Sequence, residues 1–403
     1  MTLIELLVTV AVASLVVSAA VAVLVAMSRQ MRASERRLEA TNAAMLATAI
    51  IQADLTNAGY RFPVPAFALR HYNNVDATTS LSGPAPITVG GNCAGGTVGL
   101  VPGTDVLEVI HGFELVGPGR AEGLINSNPP AEYEIALGTL GLPFETAEFL
   151  SGAVGSIVAL SGPDQRACVG RVLAADGLRP SITIELVDRN LQRITDPNAY
   201  PVVCPIPGGT GGTRVYRLQR RVRFMVCGRI GADPNEYALY RQESDLRGDF
   251  GAPQVVQEGV EDLQVSLGYS DPNSLISATG SGASCTGTGG ARICYCDDAV
   301  GPSSCTMPPD QLEPDLGTTR TIDTVSDPAI AVWTSRVRGA RVVVTGIGQR
   351  AAHDLSTGRS TMSDDLRRPA AFDHAEMPVA SKDGYLRSQQ FSAFYVHNFE
   401  VVP

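Results

Sequence analysis

Residues 1–27, MTLIELLVTVAVASLVVSAAVAVLVAM, contain no glycine, no proline and one ionisable side chain, Glu5. As a helix rising 1.5 Å per residue the run is about 40 Å long, more than the ~30 Å hydrocarbon core of a bilayer. It is too long for the apolar region of a secretory signal, and no basic residue precedes it. A helix buried in a soluble core normally keeps a polar side, and this one has none. Residues 1–27 are therefore expected to span a membrane. Two features need reconciling with that. A carboxylate four residues into such a run is costly. The basic residues Arg29, Arg32, Arg36 and Arg37 all follow it, which by the positive-inside rule places the rest of the chain in the cytoplasm. Eight cysteines point instead to an oxidising compartment. Both would be accounted for if a short basic leader had preceded Met1 and been removed.

The helical pattern does not stop at Met27. No glycine or proline occurs before Gly59. Leu38, Met45, Ala49 and Ala53, with Leu46 and Ile50 one row over, recur at three- and four-residue spacing, while Arg36, Arg37, Glu39 and Asp54 fall on other faces. Asn57-Ala58-Gly59 is a C-terminal stop signal. The spacing predicts one helix of about 55 residues, its second half, 28–60, lying on a sheet. A free coiled-coil stalk is excluded by the lack of sustained Leu/Ile/Val heptads.

The opening Met1-Thr2-Leu3-Ile4-Glu5-Leu6 resembles the mature start of type IV pilins and type II secretion pseudopilins. That resemblance implies removal of a leader by a prepilin peptidase and N-methylation of the new Met1 amine. It also implies that Glu5 of one subunit neutralises the Met1 amine of a neighbour during assembly. The alternative for Glu5 is an interfacial position at the helix N-terminus, reaching headgroup water. Asp54-Leu55, Ala58-Gly59-Tyr60-Arg61 is similar to the helix end of PilW-like minor pilins. Val215-Tyr216-Arg217, then Leu239 and Arg241, then Val256, Val260, Leu263, Val265 and Tyr269, followed by Trp333, Val337 and Arg341-Val342-Val343, resemble the strands of PilW-like and J-type pseudopilin bodies.

Beyond residue 60 the pattern is strand and turn. Strands are predicted at 104–111, 132–137, 155–161, 167–174, 181–187, 213–227, 236–243, 255–269, 336–347 and 387–400, several alternating with the period of half-buried antiparallel strands. The content of 41 glycines and 26 prolines suits many short connections. Segments 73–102, 117–131 and 205–213 read as linkers, and 271–332 as a cysteine-rich insertion. The expected fold class is α+β: a long N-terminal helix, its first half transmembrane, packed on a large antiparallel β-rich domain over 61–403.

The cysteines are Cys93, Cys168, Cys204, Cys227, Cys285, Cys294, Cys296 and Cys305. All are disulfide candidates. Spacing suggests Cys204–Cys227, with the last four paired among themselves to staple a loop that has little core of its own. Zinc at Cys294-Tyr295-Cys296 is disfavoured by the C-x-C spacing. Calcium at Asp271, Asn273, Asp297 and Asp298 is disfavoured because these residues do not follow the calcium-loop pattern. No metal and no cofactor is expected. The five histidines are scattered, the GGTGG at 208–212 lacks a following Lys-Ser/Thr, and no nucleophile or dinucleotide motif occurs. Pairs such as Glu261-Asp262 and Asp364-Asp365 read as surface charge. The chain is expected not to be an enzyme. A net charge of −10 argues against nucleic acid as a partner.

What the resemblance implies is a minor type IV pilin that helps to prime assembly and form the pilus tip. Its partners would be other minor pilins and the major pilin through N-terminal helices, prepilin peptidase, and a PilY-like adhesin, with 271–332 as a contact surface. The inner membrane would hold it, body in the periplasm, before it moves to the cell surface. The alternatives are a J-type minor pseudopilin of type II secretion and a stand-alone anchored adhesin or carbohydrate-binding module.

Overall fold

A computed structural model describes residues 2–59, 69–72, 75, 80–81, 87–88, 93, 98–126, 132–138, 144–161, 167–187, 213–229, 236–270, 274, 277–278, 284–288, 291–296, 305–307, 320–321, 337–348 and 387–395. Helix α1, Leu3–Thr56, is followed by β1 (Leu69–Tyr72), β2 (Ser80–Leu81), β3 (Ile87–Thr88), β4 (Val98–Leu100), β5 (Val106–Asn126) and β6 (Glu132–Leu137). Helix α2 (Phe144–Gly152) leads to β7 (Ile157–Ser161), β8 (Ala167–Asp176), β9 (Ser181–Leu186), β10 (Thr213–Arg229), β11 (Ala238–Glu243), β12 (Gln254–Glu258) and β13 (Val260–Ser270). Short strands β14 (Ser277–Ala278), β15 (Ser284–Thr286), β16 (Ile293–Cys296), β17 (Cys305–Met307) and β18 (Arg320–Thr321) precede β19 (Val337–Ile347) and β20 (Arg387–Tyr395). The class is as expected, a long apolar N-terminal helix on a large antiparallel β body.

The body has two parts that share β5 and β10. In the first, β1, the N-terminal end of β5, the C-terminal end of β10, β11 and β12 form an antiparallel wall. It faces a second sheet of order β15-β16-β13-β19-β20. Residues of α1 and of both sheets fill one core, including Ala47, Ile51, Leu107, Phe224, Leu239, Val265 and Val344. In the second part the pairings close a ring: β5 to β6, β6 to β9, β9 to β8, β8 to β7, β7 to β10, and β10 back to β5. This is a six-stranded antiparallel barrel, and closure removes its edges. Each of the six strands contributes to its interior: Val116, Ile135, Leu160, Val172, Ile184 and Val215, with Phe149 of α2 and the adjacent Ala153 packed among them.

The sequence reading needs three corrections here. The linker expected at 117–131 is, up to Asn126, the continuation of β5. The Gly112, Gly117 and Gly123 of β5 read as turn formers, yet they coincide with register shifts against β10 and β6. Glycine serves there at bulges, which bend a long strand so that a barrel can close. Second, the strand expected at 255–269 is two strands in two different sheets. Gly259, at φ 71°, occupies the left-handed region where the chain passes from one to the other. Third, 271–332 is not merely a loop with little core. Its β16 pairs with β13, and Cys294, Tyr295 and Cys296 are buried. Helix α2 was not foreseen.

Candidate functional site

The feature with the clearest functional bearing is α1 and the seat that holds it. From Leu3 to Met27 its large apolar side chains are all exposed, Leu3 by 78% and Leu24 by 65%. Among the described residues it is the helix long and apolar enough, by length and composition, to cross a membrane. Burial begins only at Ala40. The backbone of Glu5 is helical; its side chain, and Met1 altogether, lie outside what is described.

The expected inward face of the second half is corrected by the structure. Leu38, Met45 and Leu46 are exposed, and so are Ala49 and Ala53. The buried stripe is Ala40, Ala43, Ala44, Ala47, Ile51, Leu55 and Ala58. The reason is a close approach of backbones. A Cβ on Gly346 of β19 would lie 2.0 Å from the Ala40 carbonyl oxygen, and one on Gly348 would lie 2.4 Å from that of Arg36. Small residues on both surfaces let this stretch of the helix settle onto the sheet, so Leu38, Met45 and Leu46 are left on its far side, while farther along Ile51 and Leu55 face the core.

Asp54 is not on a solvent face either. It is 5% exposed and enters the first wall near the end of α1. Arg241 of β11 donates from Nε to its Oδ2 at 2.8 Å, and His111 of β5 places Nε2 2.8 Å from its Oδ1. Arg220 of β10 lies 3.6 Å away and donates from Nε to His111 Nδ1 at 3.2 Å. Glu243 closes the cluster, in contact with both Arg241 and Arg220. Burial alone would raise the pKa of Asp54. Hydrogen bonds and charge from His111 and Arg241 outweigh it and hold the carboxyl below its usual range. Beside the cluster lies an open groove of about 500 Å³, lined by Asn57, His111, Glu114, Gln219, Arg220 and Leu246.

Three further buried charge groups brace the body, two within a sheet and one between the sheets. Glu108 of β5 accepts from Arg221 at 2.8 Å and from Arg223 at 2.9 and 2.6 Å. The Phe250 ring lies 4.0 Å from the Arg223 guanidinium. Glu261, read from sequence as surface charge, is buried against Arg387 at 2.9 Å. Asp105 accepts from the Val265 amide at 2.7 Å, joining the wall to the second sheet. Only register could have revealed the first group: Arg223 stands directly opposite Glu108.

Cys93 is bonded to Cys227, so the expected Cys204–Cys227 pair is wrong. Sequence spacing favoured 204 because it lies nearer in the chain, whereas β10 pairs with β4, close to Cys93. Cys285 is bonded to Cys294 across β15 and β16, and Cys296 is disulfide-bonded as well. Both members of the Cys294-Tyr295-Cys296 pair are thereby taken from any zinc site. The side chains of Cys168 and Cys305, all of Cys204, and the calcium candidates Asp271, Asn273, Asp297 and Asp298 lie outside the described residues. Among the described residues no three His, Cys, Asp or Glu side chains converge as metal ligands would.

No family model matches the chain, and no curated protein matches it. A solved structure with detectable similarity is a type IV-like pilin from Thermus thermophilus. It is 14% identical, with 64% of this chain and 95% of that one covered, at a TM-score of 0.20. A superposition that loose carries no argument about fold or function.

Proposed function

We propose that this chain is a minor type IV pilin: a structural subunit, not an enzyme, that works by insertion of α1 among sister helices. The observation that carries the reading is the division of α1. Its first half is apolar on every side and untouched by the body, while its second half is seated on β19 and β20. A helix of this kind exchanges lipid for protein neighbours without disturbing the fold it carries. The motif from Met1 to Leu6 supports it, with an N-methylated Met1 and with Glu5 paired to a neighbour's terminal amine. A body of this size suits the tip better than a closely repeating shaft. There it would meet other minor pilins and, on the 271–332 side, a PilY-like adhesin. Before assembly the helix would lie in the inner membrane, with the body in the periplasm.

Glu5→Ala tests this. The expected result is an unchanged amount of protein in the membrane fraction and its loss from sheared pili, measured by immunoblot. Recovery of the variant in pili at the wild-type level sinks the reading. A J-type pseudopilin would instead leave pili intact and stop export of secreted enzymes when the chain is deleted. For the adhesin surface, removal of all of 271–332 is the wrong test, because β16 belongs to the core sheet. Surface substitutions outside β15 and β16, scored by adhesin co-purification, are the right one.

A further inference from the structure

We infer that Arg29 and Arg32, on the body side of α1, form a docking surface for the headgroups of anionic phospholipids. The inference rests on residues 1–27 spanning a membrane and does not need the pilus. The order of charges along the helix carries it. The apolar run ends at Met27, and residues 28–34, SRQMRAS, then carry two cations and no anion, in a chain whose net charge is −10. With Met27 at the edge of the hydrocarbon, Arg29 stands about 3 Å and Arg32 about 8 Å beyond it. The headgroup layer is roughly 5–8 Å deep on each side of a bilayer. Both residues are exposed, and long basic side chains bend along an apolar surface to keep their charge in that layer.

The helix also sets which way the cations face. Arg29, Arg32 and Arg36 fall within about 60° of one another around its axis, and Ala40, Ala43 and Ala47 continue the same row at steps of three and four. Those alanines are buried beneath the body, whose Gly348 comes against the Arg36 carbonyl. The basic row is thus the membrane-ward end of the face on which the body sits. The opposite flank differs, since Met31, Leu38 and Met45 are apolar and exposed. Glu35 and Glu39 lie on a third face, and both stand farther from the apolar run than Arg32. A guanidinium meets a phosphate through two parallel N–H···O bonds. The phosphates nearest this row are those of the lipids around the apolar half. A zwitterionic lipid brings its own cation to that phosphate, whereas an anionic one leaves it to the arginines. Each arginine at an anionic surface strengthens association roughly fivefold.

The experiment places the full chain in nanodiscs of phosphatidylcholine with about one-fifth phosphatidylglycerol, and counts the lipids it retains by native mass spectrometry. The expected result is retention of phosphatidylglycerol over phosphatidylcholine on the order of tenfold above the disc composition. Arg29→Gln and Arg32→Gln together should bring that ratio to about one, and each alone should lower it about threefold, so the single variants serve if the double one fails to enter the discs. Arg37→Gln, off the row and about 15 Å beyond Met27, should leave it within about twofold. A wild type that enters the discs and retains both lipids in proportion overturns this inference alone, as does enrichment that survives both substitutions. Displacement of the lipid by millimolar inorganic phosphate also overturns it, making the site one for the free anion. A chain that stays out of the discs overturns the membrane reading and this inference with it.

Discussion

The two ends of β5 and β10 face different kinds of core. Toward the barrel, β5 supplies Val116 and β10 supplies Val215 to a cluster of buried apolar side chains. Toward the helix seat, the same strands supply Glu108, His111, Arg220, Arg221 and Arg223, all drawn into buried or half-buried ion pairs. An apolar interior is satisfied by any packing of about the right volume. Buried charges are satisfied by one arrangement only, because each left unpaired costs several kcal/mol. The barrel therefore contributes bulk stability, whereas the Asp54 cluster, which ties α1 to β5, β10 and β11, fixes how the helix end sits on the body.

Glu108→Ala is the severest test of this contrast. It strands two buried guanidinium groups and should cost about 4 kcal/mol, read from chemical denaturation. Replacing Glu108, Arg221 and Arg223 together by apolar residues should recover most of that loss. The orientation of α1 in spin-label distance measurements should stay unchanged, because Leu107, Val109, Val222 and Phe224 face α1 and these three residues alternate with them on the other face. Phe149→Ala removes the barrel's contact with its α2 plug and should cost about 3 kcal/mol. Because β5 and β10 run through both parts, a single calorimetric transition is expected in each variant. Two transitions would mean that the parts melt separately. Gly346→Ala places a methyl where the Ala40 carbonyl already lies, and should cost about 2–3 kcal/mol through lifting of the helix. It should lower amide protection in α1 beyond residue 40 more than in the barrel.

Asp54→Asn removes charge-assisted bonds from the seat and should cost about 2 kcal/mol at neutral pH. The sign of its pH dependence follows from the lowered pKa of Asp54. A carboxyl whose folded pKa lies below its unfolded value, about 3.9, contributes stability that is complete above that value. The contribution is lost as pH falls through the folded pKa. The gap between wild type and Asp54→Asn in thermal scans should therefore be constant above about pH 5 and close in acid. The smallest effect belongs to Leu178, 96% exposed at the β8–β9 turn, where Asp176 accepts from its amide at 2.8 Å. Leu178→Ser should change stability by less than about 0.5 kcal/mol.

What the sequence disclosed depends on whether a signal was local. The extent of α1 was legible from composition and from its stop at Asn57-Ala58-Gly59, and β6 from alternation within EYEIAL. The inward face of α1 was not. Leu38 and Met45 look like core by size, and only the glycines of β19, some three hundred residues later, show why alanines lie inside. The barrel was hidden because β5 carries its bulge formers in a stretch that looks like a loop. The ion pairs Glu108–Arg223, Glu261–Arg387 and Asp54–Arg241 join residues more than a hundred positions apart. No periodicity within one element could announce them. Cys93–Cys227 was missed for the same reason, being closed by strand pairing and not by chain distance.

The glycine floor beneath α1 has a consequence for length. Since alanines suffice on the inner side, greasy side chains persist on the open side as far as Leu46, and 43 steps of 1.5 Å carry that flank about 65 Å from Leu3. Hydrocarbon can cover roughly 30 Å of it. More than half of the rod's outer flank is thus cut to a longer measure than any bilayer supplies.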